Sequence, residues 1–242
     1  MSLAAKHIVI TRPAHQSATI KRLLEEQQAR VTLFPVIGIR SNSVDLAHAK
    51  HADWLIFISA NAVKYGLKQL ENSNLQGKTI AAIGKKTAEA LEKSGIAVDV
   101  VPQDNFNTEN FLMLNATKLV SNQRILIFRG NGGRELLADT LRQRGAIVDY
   151  AEVYQRYCPS YDDLQLISQD IDILVITSSE GLYNLYAIIK EDWIRDIPLL
   201  LASPRIKHAA KELGHKGKII TASNPSDAVV YHRLLDWAKD NN

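Results

Sequence analysis

An internal repeat constrains the fold of this chain more than any other feature. Three stretches match in register, at an offset of 119 positions for the first two and 117 for the third: Asp53–Ser59 with Asp172–Ser178, Ile80–Gly84 with Leu199–Ser203, and Ile8–Arg12 with Ile125–Arg129. Single residues follow the same offsets, as Gly95 does with Gly214 and Ala29 with Ala146. Chance does not readily supply so many matches in register. The sequence therefore predicts two copies of one structural unit, each near half the chain.

Within the repeats, β-type runs alternate with amphipathic helical runs, of which Ser17–Gln28, Lys85–Ser94 and Glu135–Arg144 are examples. Such alternation predicts parallel sheets covered by helices on both faces, the α/β class. The predicted strands are His7–Thr11, Val31–Phe34, Trp54–Ser59, Thr79–Ile83, Val98–Val101, Arg124–Phe128, Val148–Tyr154, Ile173–Thr177, Leu199–Ala202 and Lys218–Thr221. We therefore expect two similar doubly wound parallel-sheet lobes.

Two extended segments, 34–40 and 151–159, occupy equivalent places in the repeats and are predicted to be β connectors between the lobes. If the chain leaves one lobe and returns through them, that lobe is discontinuous in sequence. The predicted division is residues 1–35 plus 159–242 for lobe 1 and residues 41–150 for lobe 2. Two similar lobes are expected to enclose a ligand between facing strand ends.

Composition excludes several classes of protein. A formal charge of +3 over 242 residues is too small for nucleic acid as the main partner, but it suits an anionic small molecule. The single cysteine excludes an internal disulfide. The N-terminus resembles no signal peptide, and no apolar run is long enough to span a bilayer. We expect a cytoplasmic monomer that binds neither nucleic acid nor membranes.

Cofactor motifs are missing from the sequence. The run Arg129–Arg134 (RGNGGR) would need a third glycine at position 135 to be a dinucleotide fingerprint, and that residue is Glu135. The seven histidines have no metal-ligand spacing. We therefore expect neither a nucleotide nor a metal.

Small hydroxyl residues or glycines follow five of the predicted strands. For any one of these loops, helix capping is the more frequent explanation. Five at the same type of strand end nevertheless favour an anion-binding cleft, because exposed helix N-termini attract carboxylates and phosphates. The loops are Ser59–Val63, Gly84–Thr87, Arg129–Gly133, Thr177–Gly181 and Ser203–Arg205.

Tyr154 breaks the symmetry of the repeat, since Ile37 stands at the equivalent position. On a β connector, a phenol can donate a proton or a hydrogen bond to a leaving oxygen. Tyrosine is also simply a common strand residue, and the sequence by itself favours that explanation.

Taken together, these segments resemble the uroporphyrinogen-III synthase family from Ile8 to nearly the C-terminus. Arg129-Gly130 and Thr177-Ser178 belong to the resemblance, together with Thr11–Pro13, Ser59–Val63, Ile83–Ala88 and Val153–Gln155. The resemblance implies two α/β lobes joined by a two-stranded β ladder and an enzyme, a cyclising hydro-lyase without cofactors. The implied substrate is hydroxymethylbilane, which loses water and closes into uroporphyrinogen III with its last pyrrole ring inverted.

The resemblance also implies roles for individual residues. Tyr154 matches the tyrosine expected to assist loss of the hydroxyl. Substrate carboxylates are expected at helix N-termini, with the contacting residues Arg12, Ser59, Asn61, Lys85, Thr87, Arg129, Gly130, Ser178, Ser203 and Arg205. One departure is Ser203–Ile206 (SPRI), which stands where many relatives have Gly-Pro-Thr-Thr, so the threonine roles there do not transfer. A cytosolic two-lobe anion-binding or sensor protein without catalysis is the alternative, and so is a catalytically idle relative.

Overall fold

The structure, a computed structural model, describes residues 3–70, 75–161 and 170–240. It divides into two compact units. The first combines Met1–Gly38 with Tyr157–Asn242, and the second is Ile39–Arg156. The predicted α/β class with one discontinuous lobe is therefore confirmed. The boundaries predicted for the lobes, at residues 35, 41, 150 and 159, differ by a few residues from those of the compact units and stay a prediction.

Strands and helices alternate along the described chain. The strands are β1 (His7–Ile10), β2 (Arg30–Leu33), β3 (Gly38–Ser41), β4 (Trp54–Phe57), β5 (Thr79–Ala82), β6 (Arg124–Gly130), β7 (Ile147–Tyr157), β8 (Ile173–Ile176), β9 (Leu199–Leu201) and β10 (Ile219–Thr221). The helices are α1 (Ala18–Glu25), α2 (Ala47–His51), α3 (Ala60–Gln69), α4 (Lys85–Lys93), α5 (Thr108–Met113), α6 (Asn115–Lys118), α7 (Leu136–Gln143), α8 (Ser179–Ile188), α9 (Pro204–Glu212) and α10 (Asp227–Lys239).

Each unit contains one five-stranded sheet. The strand order is β10-β9-β8-β1-β2 in the first unit and β3-β7-β6-β4-β5 in the second. The pairs β1–β2, β1–β8, β8–β9 and β9–β10 are parallel, as are β4–β5, β4–β6 and β6–β7. The offsets of the repeat superimpose β9-β8-β1-β2 on β5-β4-β6-β7, so the duplication is visible in the topology. Each unit takes its strands from both copies of the repeat.

Both faces of each sheet are buried. Successive residues of β1 alternate between two apolar clusters: Val9 packs with helices α8 and α9, whereas Ile8 and Ile10 pack with α1 and α10. In the second unit, Phe57 lies on the face covered by α3 and α4, and Ile56 lies on the face with Phe111 and Leu137. The doubly wound arrangement follows from this alternation, because strand side chains point to opposite faces.

One predicted strand is reduced to a single β bridge. Within Val98–Val101, only Val100 pairs with Ala81. The Asp99 carboxylate accepts the Ile80 N–H at 2.7 Å, in place of a backbone carbonyl, and Pro102 follows without an N–H to donate. The ladder cannot extend there. At the equivalent place in the first unit, Lys218 precedes the regular strand β10.

The predicted connectors correspond to β3 and β7. These strands are neighbours in the second sheet, and both boundaries between the units fall within them, at Gly38/Ile39 and Arg156/Tyr157. A two-stranded connection is therefore present, although β3 is shorter than the predicted segment 34–40 and β7 begins earlier than residue 151.

Candidate functional site

Three serines at strand ends cap the helices that follow. The Oγ of each accepts the N–H three residues on: Ser59 from Ala62 at 3.0 Å, Ser178 from Gly181 at 3.0 Å and Ser203 from Ile206 at 3.4 Å. The capping explanation is therefore correct for these loops. Each hydroxyl still has a proton to donate.

The predicted residues divide into two sets, one in each unit. The set in the second unit lies at the carboxyl ends of β4, β5 and β6 and along β7, and consists of Ser59, Asn61, Lys85, Thr87, Arg129, Gly130 and Tyr154. Since these strands are parallel neighbours, their ends share one edge of the sheet.

Tyr154 and Ser59 are brought together from positions 95 residues apart. The Tyr154 hydroxyl lies 3.1 Å from Ser59 Oγ, and either oxygen can be the donor. The Tyr154 side chain is buried, at 5% exposure. Tyr65 on α3 lies beside it, with ring centroids 6.0 Å apart, and its own hydroxyl donates to Ile39 O at 3.3 Å. The repeat contains no signal for the part played by Tyr65.

Gly130 is the residue that makes room for the Tyr154 ring. It pairs with Tyr154 across β6 and β7, where the register shifts between Arg129 and Gly130. A Cβ at position 130 would lie 2.6 Å from the ring. The neighbouring Asn131 N–H donates to Tyr154 O at 2.9 Å, which fixes the backbone on the other side.

Arg129 is buried and already paired. Its Nη1 donates to Glu135 Oε1 at 3.0 Å, and Glu152 Oε1 lies 3.9 Å from Nε. The guanidinium also lies 4.4 Å from the centre of the Tyr150 ring. A charge with only 4% of its side chain exposed needs such partners.

Glu135 and Tyr150, which the sequence did not single out, complete this cluster. The Tyr150 hydroxyl donates to the second oxygen of Glu135. That hydrogen bond, together with Arg129, lowers the pKa of Glu135 below its ordinary value. Burial of the phenol, and then the bond to Glu135, raises the pKa of Tyr150 to about 12. Their signals are weak in sequence because glutamate and tyrosine are common on a helix end and a strand.

A pocket of about 210 Å³ opens beside Arg129 on this unit. Two arginines, two hydroxyl residues and two loop glycines form its polar part, and isoleucines with one leucine form the rest. The lining residues are Ile58, Ile83, Thr108, Ile127, Arg129, Gly132, Gly133, Arg134, Leu137 and Tyr150. Of the predicted residues in this unit, Arg129 lines the pocket, and the others do not: Ser59, Asn61, Lys85, Thr87, Gly130 and Tyr154.

The start of α4 differs from the serine-capped helices. Its N-cap is Gly84, so no side chain accepts a first-turn N–H. Lys85 at the first helical position is exposed, while Thr87 is buried and its N–H bonds back to Gly84 O at 2.9 Å. An uncapped helix start with an exposed cation suits an anion.

In the first unit, Arg12, Ser178, Ser203 and Arg205 follow β1, β8 and β9. Arg12 Nη2 lies 2.8 Å from Asp227 Oδ1 at the start of α10, an ion-pair distance without hydrogen-bond geometry. Only 10% of the Arg12 side chain is exposed. Arg205, in contrast, is exposed in the first turn of α9.

Among the described residues, no group of three or more His, Cys, Asp and Glu side chains is placed to hold a metal ion. The helices of that same part of the chain include none that is both long and apolar enough to cross a bilayer.

The fold and these strand ends define a class: a two-unit α/β protein in which cations and helix N-termini lie at the carboxyl edges of parallel sheets. The family model described as uroporphyrinogen-III synthase HemD matches residues 18–230. The uroporphyrinogen-III synthase of Escherichia coli is 30% identical over 240 residues, covering 92% of this chain and 98% of the relative. That of Salmonella typhimurium is 31% identical, with the same coverage.

Solved structures agree on the fold. The uroporphyrinogen-III synthetase of Helicobacter pylori has a TM-score of 0.66 at 18% identity, covering 96% of this chain and 99% of that one. A uroporphyrinogen III synthase mutant from Thermus thermophilus has a TM-score of 0.56 at 16% identity, covering 97% and 98%.

The chain belongs to the uroporphyrinogen-III synthase family. Its function is that of a uroporphyrinogen-III synthase, a hydro-lyase of tetrapyrrole biosynthesis, and the family implies hydroxymethylbilane as the substrate. The predicted family and activity are thereby confirmed. The individual site residues stay predictions.

Proposed function

We propose that this chain closes hydroxymethylbilane into uroporphyrinogen III with Tyr154 as the group that assists departure of the hydroxyl. The observation that carries the proposal is the buried Tyr154 phenol, 3.1 Å from Ser59 Oγ, at the edge where the predicted contact residues of the second unit meet. In this proposal Ser59 holds the phenol, and the phenol donates its proton to the leaving hydroxyl of the substrate.

The reaction needs more positioning than activation. Loss of the hydroxyl turns the terminal pyrrole into an azafulvene, whose carbon bonds to the substituted position of the far pyrrole. The resulting spiro intermediate opens and closes again with the last ring inverted. Pyrroles are strong nucleophiles, so the protein contributes mainly by folding the chain and by helping water to leave.

Substrate carboxylates bind, in this proposal, at helix starts and exposed cations. Lys85 beside the uncapped α4 and Arg205 on α9 support this, because both side chains are exposed. Arg129 is buried, Arg12 is half-buried, and both are ion-paired, so they contribute positive potential more than direct contact. The polar groups completing the contacts are Asn61, Thr87, the backbone of Gly130, Ser178 and Ser203. Ser59, whose hydroxyl is bonded to Tyr154, acts through that phenol.

The proposal extends to a cytoplasmic monomer that works without a metal or organic cofactor. Each unit has apolar clusters on both faces of its own sheet, so neither core depends on a second copy of the chain. Light scattering of the purified protein tests the monomer. Activity that is unchanged after treatment with a chelator tests the absence of a metal.

The test of function is the isomer made from hydroxymethylbilane. Spontaneous closure gives uroporphyrinogen I, whereas the enzyme gives uroporphyrinogen III. After oxidation, the two porphyrins are separated and quantified against time and enzyme concentration. Type III product in proportion to enzyme supports the proposal. Type I alone, in the presence of folded protein that binds the substrate, would leave the two non-catalytic alternatives, a binding or sensor protein and a catalytically idle relative.

A further inference from the structure

We infer that Gly130 and Ser59 are positioning residues for Tyr154: Gly130 sets where the ring lies, and Ser59 sets which way the phenol proton points. This inference rests on the proposed role of Tyr154 and names the two groups through which the fold controls it.

Gly130 controls the position of the Tyr154 ring sterically. A Cβ at position 130 would lie 2.6 Å from Cε2 of Tyr154, 2.7 Å from Cζ and 3.1 Å from the hydroxyl oxygen. Real Cβ atoms essentially never approach other atoms within 3.0 Å. Any side chain at position 130 therefore forces the ring to swing, because the end of a side chain moves more readily than the backbone of Gly130, which is still paired with β7. The hydroxyl, at the far end of the ring, moves with it.

The two copies of the repeat differ at both of these positions. Where the second copy has Gly130 and Tyr154, the first has Pro13 and Ile37. The serine is present in both copies, as Ser59 and Ser178, and caps a helix in both. Capping thus explains a serine in either unit, but the glycine occurs only in the copy that has the phenol. The pairing of Gly130 with Tyr154 is specific to the unit that contains the proposed acid.

The hydroxyl of Ser59 has one proton to donate. Its Oγ accepts the Ala62 N–H at 3.0 Å, which leaves one lone pair and its own proton for other partners. When Ser59 donates to the Tyr154 oxygen, the phenol proton is left free to point at the substrate. The same donor then stabilises the phenolate, because a hydrogen bond to an ionised group is stronger than one to a neutral group.

The chemical step balances with these groups alone. The phenol proton moves to the leaving oxygen, the C–O electron pair departs with it as water, and the pyrrole nitrogen supplies the electrons that form the cationic azafulvene. Ring closure later releases one proton, which returns to the phenolate held by Ser59.

The experiment is a set of double-mutant cycles in the full-length enzyme, measuring kcat, KM and the type III to type I ratio. Gly130→Ala alone should lower kcat by about ten- to a hundredfold, the cost of misplacing a reacting group by about 1 Å. Ser59→Ala should lower it by about two- to tenfold, the worth of one neutral hydrogen bond. In the Tyr154→Phe background, both changes should have little further effect on kcat.

Controls separate positioning from general damage. Asn107→Ala removes a cap of the same kind in the same unit, where Asn107 Oδ1 accepts the Asn110 N–H at 2.8 Å, and should lower stability without changing kcat. Gly66→Ala also drives a Cβ toward an aromatic ring, 2.7 Å from Phe128 Cδ1, and should act equally in the Tyr154 and Tyr154→Phe backgrounds. Ser59→Thr retains the hydroxyl and should restore most of the turnover lost in Ser59→Ala.

Two failures are distinguishable. If Gly130→Ala and Ser59→Ala lower kcat by the same factors with and without the Tyr154 hydroxyl, or raise KM alone, they do not act through Tyr154 and the inference is wrong. If Tyr154→Phe itself has wild-type kcat, the proposed role of Tyr154 fails before the cycles are interpreted.

Discussion

Removing the hydroxyl of Tyr154 separates its contribution to stability from its contribution to the reaction. In Tyr154→Phe the ring, its burial and its stacking against Tyr65 are retained, and the 3.1 Å contact with Ser59 is lost. A neutral hydrogen bond contributes about 0.5–1.5 kcal/mol to folding. We therefore expect the free energy of unfolding to fall by about 1 kcal/mol.

The effect on the reaction should be larger. Loss of a proton donor or one oriented hydrogen bond lowers turnover by roughly ten- to a thousandfold. That range corresponds to a barrier higher by about 1.4–4 kcal/mol. Some type III product should survive, because folding of the substrate by the protein does not require that proton.

The assay combines steady-state kcat and KM, the isomer ratio and urea unfolding on the same preparation. Tyr157→Phe is the matched control, since Tyr157 lies three residues along β7 and is 39% exposed. It should leave kcat unchanged. Wild-type turnover in Tyr154→Phe, together with a measurable loss of stability, would show that the hydroxyl is only structural and would refute the reasoning.

Two further predictions concern charge and pH. Lys85→Ala and Arg205→Ala should weaken product binding modestly and in a salt-dependent way, with unchanged thermal midpoints. Arg12→Ala and Arg129→Ala should also lower the thermal midpoint, because each leaves a carboxylate partner unpaired. Binding titrations at two salt concentrations and thermal melts check this, and loss of all binding in one exposed variant would contradict it. Because the pKa of Tyr150 is raised from 10.0 to about 12 in the folded state, the unfolded chain releases this proton first, so its contribution to stability is full below pH 10 and is lost between about pH 10 and 12. In urea unfolding, the free energy of unfolding should fall less between pH 9 and pH 11 in Tyr150→Phe than in the unsubstituted protein. Tyr186, whose pKa is also raised to about 12, contributes equally to the fall in both proteins. Equal falls in the two proteins would contradict the assignment.

The repeat explains why so much of the fold was predictable from sequence. In both units a buried strand is followed by a serine that caps the next helix, in the matching segments Asp53–Ser59 and Asp172–Ser178. A buried parallel strand and a capped helix have local chemical requirements, namely a short apolar run and a hydroxyl at a fixed distance from it. Such requirements are visible in a single sequence, and two copies confirm each other.

The failure at Val98–Val101 shows where local pattern stops being sufficient. The run is as apolar as its counterpart that forms β10, yet the Asp99 carboxylate takes the Ile80 N–H and only one bridge forms. A single side chain thus replaced a backbone acceptor. Alternation of apolar residues cannot reveal that competition, because it depends on where a polar side chain points.

For the site, the sequence could predict candidate residues but not the contacts between them. The sequence identified Ser59, Gly130 and Tyr154 as separate candidates. Their proximity depends on the strand order β7-β6-β4 and on the register shift in the β6–β7 pairing. Nothing local in the sequence encodes a contact between positions 59 and 154. Tyr65 and Tyr150 were not among the candidates, and Glu135 was named only as the residue that breaks a glycine fingerprint. Each acquires its significance from a partner on another element. The asymmetry between the two copies singled out Tyr154 in the sequence, but it indicated no partner for the phenol. A position where the repeats differ, as Tyr154 does from Ile37, indicates a role that the shared fold does not require, and the glycine across from it supplies the space that this role needs.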